Sequence, residues 1–73
     1  MNIKQMEQHL SDRIGADVEI TIRGENEFTF SIESNVAEHA HTMVKWFSHV
    51  AQPKKVDIQY DEELNTQFVY IDI

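Results

Sequence analysis

A chain of 73 residues, 41% hydrophobic and 26% charged, has an ordinary globular composition, enough for one domain and too short for two. Thirteen acidic residues against six basic ones leave a formal charge of −7 at pH 7. That field argues against nucleic acid or anionic membrane surfaces as direct partners, because nothing would neutralise their phosphates. The absence of cysteine rules out disulfide staples and thiolate metal sites and favours a reducing, cytoplasmic setting.

The opening stretch, MNIKQMEQHLSDR, mixes polar and apolar residues and does not read as a secretory signal. Ile3, Met6, Leu10 and Ile14 recur at helical spacing and predict an amphipathic helix. Asn2 is placed to cap it, with Gln5 completing a capping box. Gly15 stands where a left-handed C-cap belongs.

From Val18 the period changes to two. Val18, Ile20 and Ile22 alternate with Glu19, Thr21 and Arg23, the pattern of a half-buried strand. Gly24 and Asn26, both tolerant of positive φ, predict a turn. Phe28, Phe30 and Ile32 then alternate with Thr29, Ser31 and Glu33, so the two runs form a hairpin. Asn35 and Glu38 have capping-box spacing ahead of a second helical stripe, Val36, Ala40, Met43, Val44, Phe47 and Val50. Pro53 closes that helix's exit. Val56, Ile58 and Tyr60 alternate with Asp57 and Gln59 as a third strand. The acidic run from Asp61 to Thr66 is a turn, and Gln67 to Ile73 a fourth strand.

The class is therefore α+β in the order α-β-β-α-β-β. A four-stranded, largely antiparallel sheet has two helices packed on one face. Two strand orders keep every neighbour antiparallel, 2-1-3-4 and 1-2-4-3. The single domain, residues 1–73, also reads as a pseudo-repeat of 1–33 and 34–73. VEITI at 18–22 resembles VDIQY at 56–60, and FTF at 28–30 resembles FVY at 68–70.

If Val18, Ile20, Ile22, Phe28, Phe30, Ile32, Val56, Ile58 and Tyr60 turn toward the helices, the other sheet face carries mainly polar residues. An antiparallel sheet tolerates water on that side. The fourth strand is apolar on both faces. Asp72 predicts that its own set, with Phe68 and Tyr70, faces water. Glu19, Glu33, Asp57, Phe68, Tyr70 and Asp72 are accordingly the candidate partner-binding residues: two aromatics among carboxylates.

Chemistry is poorly represented. No pair among His9, His39, His41 and His49 has the three- or four-residue spacing that brings two rings to one ion on a helix. They read as surface histidines. Trp46 reads as packing at the helix–sheet boundary. The two glycines form no phosphate loop, and no serine sits in a nucleophile setting. Neither catalysis, metal nor cofactor is expected.

The expected function is a non-enzymatic binding or inhibitor module that engages a basic surface of a protein partner. Its sharper form is a nucleic-acid mimic whose carboxylates stand where phosphates would. In size, charge and element order the chain resembles small phage-encoded antagonists of host defence such as anti-CRISPR proteins, an analogy of class that no motif carries. The alternative is a homodimeric structural or regulatory subunit that associates through the last strand and the sheet face.

Overall fold

The computed structural model describes residues 2–73. Helix α1 (Ile3–Ile14) leads into the hairpin β1 (Val18–Gly24) and β2 (Glu27–Ile32). Helix α2 (Ala37–Val50) leads into β3 (Lys55–Asp61) and β4 (Thr66–Asp72). The strands lie in the order β1-β2-β4-β3, all neighbours antiparallel. That is one of the two orders the sequence allows.

Helix α1 begins and ends as its caps dictate. Asn2 Oδ1 accepts from the Gln5 N–H, and Gln5 Oε1 accepts from the Asn2 N–H. Gly15 takes the left-handed conformation at φ 87°, and its N–H donates to the Ser11 carbonyl. Leu10 and Ile14 from α1 meet Ala40, Met43 and Phe47 from α2 over Val18, Phe30, Ile32, Val69 and Ile71 of the sheet. The strand residues in this core share one face by register, so both helices lie on the same side of the sheet. Phe47 is its aromatic hub, edge-on to Phe30 at 5.6 Å between centroids and tilted to Phe28 at 6.4 Å.

Several local expectations are corrected. Helix α2 starts after Val36 with no side-chain cap from Asn35. The neighbouring Ser34 does the work instead. Its Oγ accepts from the Val36 N–H and lies 2.6 Å from His39 Nδ1. Buried Gln67, on β4, donates from Nε2 to the carbonyls of both Ser34 and Val36. The first hairpin turns without positive φ at Gly24 or Asn26. Its register shifts between Ile22 and Gly24, and the one left-handed non-glycine among the described residues is Asn65 in the second hairpin. Trp46 is partly buried against the core and its ring also meets that of His9 on α1, 6.1 Å between centroids. Helix α2 lies close enough to α1 to present it there.

The FTF/FVY match is out of step by one residue. Register places Phe28 on the helix side and Phe68 on the opposite side, and in a strand a one-residue slip exchanges the faces.

The largest correction concerns β3. Val56, Ile58 and Tyr60 face the helix side by register, yet they stay 38%, 37% and 46% exposed. Helix α1 covers β1 and α2 leans on β4, which leaves β3 at the margin of the helical layer. Ile22, at the far end of β1, is likewise exposed. Strand β4 is interior, between β2 and β3. It has no free edge for a second copy to pair with, and the sheet's edges are β1 and β3.

Candidate functional site

The sheet face away from the helices is laid out by three cross-strand rows. Glu19, Ser31, Phe68 and Gln59 form the first; Thr21, Thr29, Tyr70 and Asp57 the second; Glu27, Asp72 and Lys55 the third. Glu33 follows directly after β2 and is tied to Asp17 by its N–H. It borders a groove of about 530 Å³ between α1 (Lys4, Glu7, Gln8 and Ser11) and the strand residues Glu19, Ser31 and Thr66. The face thus brings together Glu19, Asp57, Phe68, Tyr70 and Asp72 of the six residues expected from the sequence, and Glu33 lies at its border beside α1.

Phe68 and Tyr70 are half-buried and stacked, their centroids 6.5 Å apart and their planes 27° from parallel. Alternate residues of one strand project from the same face, and interior β4 therefore sets the pair in the middle of the sheet rather than at its rim.

Two residues missed as site members shape this surface. Arg23 lies 5.4 Å over the Tyr70 ring, within cation–π range. Its Nη2 also donates to the Phe28 carbonyl and to Asp72 Oδ1, the latter at 3.3 Å. Arg23–Asp72 is the one ion pair within 4 Å among the described residues. Strand alternation already put Arg23 on this face; the bend that carries it across Tyr70 comes from the register shift after Ile22. Glu27, opposite Asp72, adds a further carboxylate. Gln59 Nε2 donates to Asp57 Oδ2, and a depression of about 260 Å³ lies among Arg23, Lys55, Asp57, Gln59, Tyr70 and Asp72. The result is an aromatic centre with a charged rim, acidic toward Glu19 and Glu33 and mixed toward Lys55 and Arg23.

Thr29 lies at the middle of the same face, 7% exposed, and its Oγ1 has no hydrogen-bond partner. A buried hydroxyl without a partner is costly. The Thr29→Val change removes it, keeps the side-chain shape and retains a good strand former. It is expected to stabilise the domain by about 0.5–1 kcal/mol, read as a raised urea midpoint. A lower midpoint would show that the hydroxyl is satisfied by water.

The described residues hold no group of three or more His, Asp or Glu side chains placed to ligate a metal. His9 stands against Trp46, and His39 is held by Ser34. His41 and His49 are exposed on α2. No helix among the described residues is long and apolar enough to cross a membrane. Comparison with protein-family models, curated proteins and solved structures finds no match for the chain.

Proposed function

We propose that this protein is a non-enzymatic binding module that docks the open face of its sheet onto a basic surface of a protein partner in the cytoplasm. The observation that carries the reading is the stacked Phe68–Tyr70 pair at the centre of a helix-free face, with Glu19, Glu27, Glu33, Asp57 and Asp72 around it. Aromatic residues in the middle of a patch supply most of the affinity of protein contacts, while rim charges set approach and register. A net charge of −7 favours a partner rich in lysine and arginine. A groove that holds nucleic acid fits that description, and carboxylates would then occupy phosphate positions.

The test is affinity capture on wild-type bait, followed by binding kinetics on each purified candidate. A basic protein should be retained. Its association rate should fall about tenfold or more between roughly 0.05 M and 0.5 M salt, with dissociation changing far less. Competition by double-stranded DNA or by RNA would support the mimic form. A partner whose association is indifferent to salt would defeat the electrostatic reading.

A further inference from the structure

The two edges of the sheet are not equivalent. Backbone groups of a strand alternate between its two sides. The Glu33 N–H reaches the Asp17 carbonyl, so Val18 and Ile20 point their N–H groups off the β1 edge. Both are taken by α1: Ser11 Oγ accepts from Val18 at 2.9 Å, and Glu7 Oε2 accepts from Ile20 at 2.8 Å. The protein closes this edge with its own helix, a common guard against strand addition.

The β3 edge has no such cover. The Ile73 N–H donates to the Asn26 carbonyl. Carried through β4 by the unbroken registers, alternation sends the N–H and C=O groups of Val56, Ile58 and Tyr60 off the free edge. No side-chain hydrogen bond among the described residues involves those groups. The same three residues form the partly exposed apolar row at the margin of the helical layer.

We propose that the β3 edge is a self-association site, pairing antiparallel with β3 of a second copy about a two-fold axis through Ile58. Two-fold pairing of one strand with its copy, with the axis normal to the sheet, requires opposed residues to share a face. Only registers that pair odd with odd and even with even positions are open. Centring on Ile58 overlaps all seven residues of β3. It sets Lys55 against Asp61, Val56 against Tyr60, Asp57 against Gln59, and Ile58 against its copy. Every opposed pair is complementary in charge or polarity. Shifting the axis to Asp57 puts that carboxylate against its own copy, and shifting it to Gln59 puts Asp57 against Asp61; like charges directly opposed are destabilising.

Charges on an edge strand ordinarily block pairing; here they admit one register and disfavour its neighbours. Neither Lys55 nor Asp61 is in an ion pair within 4 Å among the described residues; Asp61 Oδ1 accepts from the Leu64 N–H of the turn, and its charge is still uncompensated by a cation. Because the axis is normal to the sheet, both open faces end up on the same side. The pair forms one continuous eight-stranded surface with two aromatic centres. This site is independent of Phe68 and Tyr70.

The experiment is sedimentation equilibrium on the wild-type chain and on Lys55→Glu and Asp61→Lys, each checked for fold by circular dichroism. Wild type should move reversibly from its 8.6 kDa chain mass toward twice that value. The transition should fall at high micromolar concentration, because a strand-only contact lies below the usual interface size. Each single variant puts like charges opposite one another twice in the pair, and should weaken dimerisation about tenfold or more. Mixing the two variants makes both opposed pairs oppositely charged again, one as in wild type and one with its signs exchanged, and the mixture should dimerise where neither does alone. A wild-type mass that stays at one chain up to millimolar concentration overturns the proposal. So does a mixture that behaves as the sum of its parts, which would leave the edge for an unrelated peptide strand.

Discussion

The doubly substituted chain, Phe68→Ser with Tyr70→Ser, is expected to stay folded and to bind a basic partner roughly a hundredfold or more weakly than wild type. Each aromatic at the centre of a contact contributes on the order of 2 kcal/mol when its surroundings exclude water. Both rings lie on the face opposite the core formed by Phe30, Val69 and Ile71, so their removal opens no cavity beneath the helices. The losses on folding are the ring stack, the Arg23 contact to Tyr70 and some apolar cover of neighbouring strands. Together these come to about 1–2 kcal/mol. A chain of this size is expected to have roughly 4–10 kcal/mol in hand, so thermal unfolding should remain cooperative. The companion variant, Glu19→Gln with Asp57→Asn, keeps the rings and removes two rim charges. It should slow association and flatten the salt dependence while leaving dissociation nearly unchanged. If the serine variant unfolds, the aromatics belong to the structure of the sheet and not to a docking surface. If it folds and binds as well as wild type, the centre of the contact lies elsewhere.

The parts of this molecule set by local chemistry were legible in its sequence. The α1 caps, Asn2 with Gln5 and then Gly15, depend only on residues three or four apart, and both hairpins follow from a period of two. The alternation that buries Val69 and Ile71 also sends Phe68 and Tyr70 to the other side, with Asp72 as the clue. What could not be read depends on strand order. In the order 2-1-3-4, β3 would be central and Val56, Ile58 and Tyr60 would be covered. In the observed order β3 is an edge, and α2 leans on β4 instead. Both orders satisfy the same hydrophobic pattern, so no count of apolar positions separates them. Adjacent cap formers produce a smaller ambiguity. Ser34 and Asn35 are equally good candidates by type, and the choice falls to Ser34 because buried Gln67 fixes the backbone there. Arg23 was placed on the right face, but its reach over Tyr70 depends on the register shift after Ile22.

Gln67 is the polar residue whose loss should most damage the framework. It lies on the core side of β4 opposite Ile32, 4% exposed, where the hydrophobic pattern calls for an apolar side chain. Its amide donates to the carbonyls of Ser34 and Val36 at 3.0 and 2.9 Å. It thereby ties β4 to the segment that starts α2, where Ser34 Oγ accepts from the Val36 N–H. Gln67→Leu has similar bulk and would gain apolar burial, but it cannot donate: the buried Ser34 carbonyl would lose this donor, and the Val36 carbonyl, beside an exposed side chain, would keep only the His39 N–H. The desolvation cost outweighs the gain, for a net loss of about 1–3 kcal/mol. That corresponds to a melting temperature lower by roughly 5–20 °C in a domain of this size. Amide exchange should quicken first at the start of α2, where the His39 N–H bonds the Val36 carbonyl. Loss within about 0.5 kcal/mol of zero would mean that water replaces the amide, since the two carbonyls would then be satisfied without it. Gln67 and Phe68 are neighbours on opposite faces of one strand, so the two substitutions separate cleanly. Where the Gln67→Leu chain is still folded, its open face should bind a basic partner as wild type does. The serine variant should show the reverse, a stable fold with a disabled surface.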